Sequence, residues 1–504
     1  MEKTSFWHKL FGTTPGKGVQ PKEAIAYSIT GFGQNFICTI IGSYITVFMT
    51  EALLFGSKDF YVGAVPGAVA VALLLLFTRV FDAMNDPIMG SIVDRTRTPW
   101  GKCRPYLKWM AIPIGAMTIV CFFPGFQAKS TTSFAIISVL YVIWSVVYTI
   151  ADVPYWALST NLTNNTEVRG KILTVARLVC TLGAGLVTVA VPIITSFVTA
   201  KYKGDDGQIL PEYITQNADT LKWTYFICAV VLVALAVPMF FYGFKNTKER
   251  FQSSEVPPSL GHNLKLLFKN KELMLIVISG ILGGARMVYT YTGGLYFAKY
   301  VLKEESFFSL ITMLVVPGGL VASVLVPWMS KKFTKKKTYI MVHVLGAVVM
   351  FAMYFIGYDA PWKLWFCAAG LVLLGIPQGV NNIMTYAMIG DTVEYLEWKT
   401  GERAEGICFA MQTFINKIGM ALGAFIGVFS YEWANINPEA ANGVYITPEG
   451  EATLWNILIL SGAISMAATI IPMLFYKITE KKQAEMVAEV AARKAAAGEK
   501  ASVE

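Results

Sequence analysis

Apolar runs dominate the chain. Twelve stretches, at about 24–50, 61–90, 106–126, 132–160, 172–199, 222–244, 273–298, 307–330, 338–357, 362–390, 405–430 and 453–476, are mostly Leu, Ile, Val, Ala, Phe, Met and Gly with few charges. Each reaches the roughly 20 residues that a helix needs to cross the hydrocarbon core of a bilayer. Several exceed it, so their polar ends are expected to project into water or a cavity. The pattern predicts an all-α membrane protein of twelve transmembrane helices.

Composition agrees. Of the 504 residues 55% are hydrophobic and only 15% charged, against about 25% charged in soluble domains. The first residues, MEKTSFWHKLFGTTPGKGVQ, contain no apolar core and no small-residue cleavage site, so no cleaved signal peptide is expected. The seven cysteines lie in or beside the spans without paired spacing and read as small packing residues. If alternate loops and both termini share one side, that side holds 30 Lys and Arg and the other only 8, with Arg79, Arg177, Arg286 and Lys417 inside spans. Excess Lys and Arg marks the cytoplasmic face, which places both termini in the cytoplasm. The asymmetry accounts for the net charge of +9 without a nucleic-acid partner. The basic loop KKFTKKK (331–337) reads as a topology signal beside anionic lipid headgroups.

The longest basic loop contains KNTKERFQSSEVPPSLGHNLK, polar and proline-bearing, as a linker between halves is. The expected division is a cytoplasmic N-terminal segment 1–23, a six-helix half 24–244, a linker 245–271, a second six-helix half 272–477 and a charged tail 478–504. The fourth and tenth spans both run into acidic groups, then an Arg and a small residue, then a new helix. Such repeats are typical of secondary transporters, whose sites lie near the membrane midplane. The tail, EKKQAEMVAEVAARKAAAGEK, reads as a solvated helix or disordered.

Against this apolar background FTRVFDAMNDPIMG (77–90) stands out. A charge at the bilayer centre costs about 2.5–3.5 kcal/mol on insertion scales, so it must face a bundle interior, pair, or line a wet path. Helical positions i, i+3 and i+4 share a face, so Asp82, Asn85 and Asp86 present two carboxylates and an amide to one point. These hard oxygen donors suit Na⁺ or Li⁺, and two close carboxylates can instead hold a proton. The alternative is an ion pair of Asp82 with Arg79 that only stabilises the bundle. Asp152, in TIADVPYW near the end of the fourth span, is a third acid that either joins the site or marks the membrane–water boundary.

Arg177, Arg286 and Lys417 lie too far inside their spans to snorkel easily. Each either neutralises a buried acid or, for Arg177 and Arg286, donates hydrogen bonds to a polar solute. Trp144, Tyr148, Tyr155 and Trp156 place several rings on one face of the fourth span. Sugar C–H faces pack on such rings, although an interfacial aromatic belt has the same composition.

Over about 24–478 the chain resembles the glycoside–pentoside–hexuronide:cation symporters, the melibiose-carrier branch of the major facilitator superfamily. The likeness rests on RVFDAMNDPIMGSIVDRTRTPWGKCRPYL (79–107), YTIADVPYW (148–156) and GDTVEYLEWKTGERAEG with the downstream Lys417. It implies the two-half fold of that superfamily, with Asp82, Asn85, Asp86 and Thr149 as cation ligands. It implies that Asp152 is shared between sugar and cation, Trp156 stacks on the sugar and Arg177 holds hydroxyls. By the same likeness Arg79 and Lys417 belong to the coupling charge network, and Asp391 and Glu394 to a cytoplasmic gate. The chain departs from the melibiose carrier in the first span, where Gln34-Asn35 replaces a Lys-Asp pair, and at Arg286, which has no charged counterpart there. The first removes the aspartate that is a principal sugar ligand in the melibiose carrier and the second adds a cation; together they make the sugar site more positive, so an acidic hexuronide joins neutral glycosides as a candidate substrate.

The expectation is a multi-pass protein of the cell membrane that takes up a sugar, glycoside or hexuronide by symport with Na⁺, Li⁺ or H⁺. It needs no cofactor and no catalytic residue, and it works as a monomer in lipid. Two rivals remain: a sodium-coupled lysophospholipid symporter, and a sensor or membrane enzyme. For the last there is no zinc-type His/Cys cluster, P-loop or nucleophile elbow.

Overall fold

A computed structural model describes residues 6–11, 13, 18–163, 166–204, 209–250, 260–402, 405–440 and 444–501. Residues 251–259 of the expected linker and the extreme ends of the N-terminal segment and tail lie outside them. The elements in chain order are α1 (Phe6–Phe11), α2 (Pro21–Val47), the hairpin β1 (Tyr61–Val62) and β2 (Val65–Pro66), α3 (Gly67–Arg95), α4 (Arg104–Cys121), α5 (Thr131–Leu162), α6 (Thr166–Thr199), α7 (Ile214–Asn246), α8 (Leu260–Lys269), α9 (Lys271–Leu282), α10 (Thr292–Tyr296), α11 (Phe307–Lys332), α12 (Lys335–Ile356), α13 (Pro361–Thr400), α14 (Glu405–Trp433), α15 (Pro448–Phe475) and α16 (Glu480–Ala501).

Ten of the described helical stretches are long and apolar enough to cross a membrane; α4 and α11 occupy the other two expected positions. Large apolar side chains cover their outward faces, including Phe197 (82% exposed), Phe355 (80%) and Trp365 (79%). Lipid tails, not water, are the environment in which such surfaces are stable. The protein is a multi-pass membrane protein.

Three elements differ from the expectation. The second span starts at Gly67, because residues 61–66 form the hairpin, pairing Val62 with Val65. The seventh span is not one helix: α9 stops at Leu282, a 3-10 segment covers Gly284–Thr290, and a π-turn follows α10 at Phe297–Val301. Two glycine pairs flank the break, and a Cβ on Gly294 would sit 1.7 Å from the Tyr289 carbonyl oxygen. The tail takes the helical one of its two expected forms, as α16, and differs in being docked: its Glu489 accepts a hydrogen bond from the Trp398 indole (2.7 Å) and its Arg493 donates to the Trp398 carbonyl (2.9 Å).

The chain forms two compact units. The first comprises 1–257 with two later segments, 295–309 and 431–451. In it α2 packs on α6 and α7, α4 on α5 and α7, and α3 on α5. The second comprises 258–294, 310–430 and 452–504; α12 and α16 pack on α13, around buried Met384, Ile389, Val393, Leu396 and Ile415.

A carboxylate also ties the first unit together at its N-terminal side. Glu249 accepts from the backbone N–H groups of Lys102 (2.9 Å), Cys103 (2.8 Å) and Arg104 (2.7 Å), capping α4 from a distant segment. The first turn of a helix has unpaired N–H groups and a positive dipole end, which a carboxylate satisfies. Gly101 makes room for it: its φ is +114°, and a Cβ there would lie 2.3 Å from the Glu249 carboxyl carbon.

Candidate functional site

α3 carries Arg79, Asp82, Asn85 and Asp86 at helical spacing, and α5 carries Tyr148, Thr149, Asp152 and Trp156. Packing of α3 on α5 brings the two sets together. The Thr149 hydroxyl donates to Asp82 Oδ1 at 2.5 Å, with Asp82 1% exposed and Thr149 fully buried. The Arg79 guanidinium reaches only 4.0 Å from Asp82 Oδ2, the outer limit of an ion pair. Asn85 and Asp86 are half-buried. Pro87 follows them inside α3; lacking an N–H, it cannot donate to the Ala83 carbonyl one turn back. The structure thus joins the Asp82 carboxylate to the Thr149 hydroxyl with Arg79 at the edge, and Asn85 and Asp86 follow on the same face of α3 by helical spacing.

Asp152 lies one turn beyond Thr149 on α5. Its Oδ1 collects three donors: the Gln34 amide from α2, the Trp156 indole N–H (3.1 Å) and the Tyr148 hydroxyl (3.4 Å). Gln34 is 1% exposed, and its own carbonyl oxygen has no hydrogen-bond partner among the described residues. The neighbouring Asn35 turns its amide back to the Gly31 carbonyl (2.9 Å). Arg177, on α6, is exposed and holds its guanidinium 5.1 Å from the centre of the Trp156 ring. Stacking extends along α5, where Tyr148 lies 5.1 Å from Trp144 and nearly parallel to it.

The structure therefore gathers Gln34, Asp82, Tyr148, Thr149, Asp152, Trp156 and Arg177 within the first unit. The direct bond from Gln34 to Asp152 was not foreseen: 118 residues separate them, and no local pattern announces such a contact. Asn35, Arg79, Asn85 and Asp86 lie in the same unit, and the four other candidates, Arg286, Asp391, Glu394 and Lys417, lie in the second. Arg286 (8% exposed) donates through Nη1 to the Gly283 carbonyl at 2.6 Å and through Nε to the Gln378 amide oxygen at 3.4 Å. It sits at the C-terminal end of α9, where a cation compensates the helix dipole. Lys417 is buried on α14. Asp391 takes both its oxygens to the Lys335 ammonium (2.6 and 2.7 Å), and Glu394 accepts from Gln483 of α16 at 2.7 Å. Among the described residues, no group of three or more His, Cys, Asp or Glu forms a metal cluster. A Na⁺-type site built from two carboxylates plus hydroxyl and amide oxygens is not such a group.

The chain matches the MFS/sugar transport protein family over residues 26–480. It is 26% identical over 473 residues to the isoprimeverose transporter of Lactiplantibacillus pentosus, covering 93% of this chain and 91% of that protein. It is 26% identical over 474 residues to a glucuronide carrier protein homolog of Escherichia coli (strain K12), covering 94% and 96%. It is 25% identical over 489 residues to the raffinose carrier protein of Pediococcus pentosaceus, covering 92% of this chain and 71% of that one. The crystal structure of a D-xylose-proton symporter superposes with a TM-score of 0.58 at 14% identity, covering 90% of this chain and 96% of that one, which supports the fold. With the paired acid clusters of α3 and α5 in place and the family match running nearly end to end, the chain belongs to the MFS/sugar transport proteins, in the glycoside–pentoside–hexuronide:cation symporter family.

Proposed function

We propose that this chain, a sugar symporter, binds a Na⁺, Li⁺ or H⁺ through Asp82, Asn85, Asp86 and Thr149, and a glycoside or hexuronide through Gln34, Asn35, Tyr148, Asp152, Trp156 and Arg177. One observation carries the reading. Thr149 and Asp152, one turn apart on α5, face different partners: Thr149 donates to Asp82, while Asp152 collects Gln34, Tyr148 and Trp156. A cation that draws on Asp82 and Thr149 shifts the same helix turn that positions Asp152 for sugar hydroxyls. Coupling of this kind is reciprocal and typically amounts to about 1–3 kcal/mol between two ligands.

The Trp156 ring offers an apolar face for a sugar, and the Arg177 guanidinium beside it is the natural donor for hydroxyls or a hexuronide carboxylate. Relatives named for isoprimeverose, glucuronide and raffinose support a glycoside, neutral or acidic. Arg286 contributes to an acidic substrate only by releasing its hold on Gly283; its geometry favours a helix-capping role. Nothing in the proposed cycle is a chemical transformation, so the protein is a carrier and not an enzyme. Counterflow of a radiolabelled sugar panel, with and without Na⁺, tests the reading. Asp82→Asn is expected to abolish stimulation by cations; undiminished stimulation in that variant refutes the site.

A further inference from the structure

Far from this site, at the ends of the spans away from the N-terminus, the first unit buries two glutamates. Glu51, in the turn after α2, is 4% exposed and is met by the Lys299 ammonium (2.6 Å) and the Tyr300 hydroxyl (2.5 Å). Glu305 is 7% exposed and accepts from the Thr195 hydroxyl of α6 at 2.8 Å. Its neighbour Glu304 differs: it lies nearer the surface, bonds Ser196, and pairs with Lys203 at 3.3 Å. All of these groups belong to the first unit, because residues 295–309 pack within it.

A cavity of about 20 Å³ adjoins Glu305, lined also by Thr199, Lys203, Asn217, Lys299 and Lys303. One water needs about 10–15 Å³ and two or more polar partners; both conditions are met. Asn217 is 8% exposed, and its side-chain oxygen, among these polar groups, has no hydrogen-bond partner. A second cavity of similar size shares Asn217 and Lys299 and reaches Glu51 and Tyr300.

We propose that Glu305 and its cavity form a proton-binding site, and that loss of the proton loosens the packing of residues 295–309 in the first unit. With Glu305 neutral, Lys299 serves Glu51 alone and the cavity water joins the Glu305 carboxyl to the Asn217 oxygen. With Glu305 ionised, a second buried negative charge joins Glu51 beside the Lys299 ammonium, and Lys203, paired with Glu304, offsets it only in part. The phenols of Tyr44 and Tyr225 are near enough to feel the Glu305 charge and add no positive charge; Lys303 on the cavity wall offsets part of the repulsion. Burial holds the Glu305 carboxyl above its ordinary value, against the pull of Lys299 and the Thr195 hydroxyl. The packed state therefore prefers the protonated acid. Packing is firmest below the ordinary glutamate pKa of about 4.3 and weakens as pH rises through the raised value.

Hydrogen exchange of the purified full-length protein in detergent tests this, read on peptides covering 295–309 and corrected for the intrinsic pH dependence of exchange. Between about pH 5 and about pH 8 the protection of this segment is expected to fall several-fold, and by at most about tenfold per pH unit for a single proton. Glu305→Gln, which mimics the neutral acid, is expected to keep high protection throughout. Protection independent of pH in the wild type overturns the proposal, even if the variant does not fold. So does a Glu305→Gln protein that retains the wild-type dependence. The readout involves no transport, so it is separate from the fate of the symport reading.

Discussion

At the scale of single residues, the division of labour on one turn of α5 is the most consequential feature. Thr149 donates to Asp82 of α3, and Asp152 accepts from Gln34, Tyr148 and Trp156; the proposed division between cation and sugar follows that line. A hydrogen bond to a charged group contributes about 1.5–3 kcal/mol. Thr149→Val keeps the shape but removes the bond to Asp82, so the cation concentration for half-maximal stimulation is expected to rise about tenfold or more. The sugar KM at saturating cation should change far less; a rise confined to the sugar KM would assign Thr149 to the wrong ligand. Asp82 and Asp86 stand out in the sequence because charges in an apolar run demand an explanation. Gln34 was legible only as a departure from relatives. Its bond to Asp152 depends on how α2 lies against α5, which no local pattern encodes.

At the scale of elements, hydropathy located the spans, yet the structure redrew their ends. The second span begins after a hairpin, the seventh is broken, and α13 continues to Thr400, carrying Asp391 and Glu394 inside the helix. Hydropathy misses these because it averages over windows, whereas a break is decided by single glycines and a helix end by its caps. The cap of α4 by Glu249 is such a case, joining residues almost 150 positions apart. Gly101→Ala must adopt a left-handed φ and displace that carboxylate, so a loss of about 1–3 kcal/mol in stability is expected. Glu249→Ala removes the cap itself. If both substitutions act on one contact, thermal melts of the double variant should show less than the sum of the single losses. Strict additivity would separate them.

At the scale of the whole molecule, the excess of Lys and Arg in alternate loops argues that both termini face the cytoplasm. Reporter fusions at Met1 and Glu504 should both give the cytoplasmic signal; opposite signals from the two ends would contradict an even number of spans. The tail falls at this scale too. Its charge-rich composition suggested a solvated helix or disorder; α16 is a helix that lies along the end of α13, with Gln483 donating to Glu394 and the Trp398 indole donating to Glu489. Alternation of alanines with glutamates and lysines is compatible with either outcome; the facing helix supplies Trp398 and Glu394, and Met486 of α16 is buried in the cluster with Val393 and Leu396.

By itself, the amino-acid sequence determined that the chain lives in lipid, roughly where its apolar spans lie, and where carboxylates interrupt the apolar runs. Those properties follow from transfer free energies and hydrogen-bond satisfaction, which act residue by residue along the chain. Tertiary structure alone decided which of those charges meet. It placed Thr149 on Asp82 and Gln34 on Asp152, turned Arg286 to the end of α9, and buried Glu51 beside Lys299. Contacts between distant segments depend on the packing of whole helices against one another, and packing is a property of surfaces in three dimensions that periodicity along the chain does not carry.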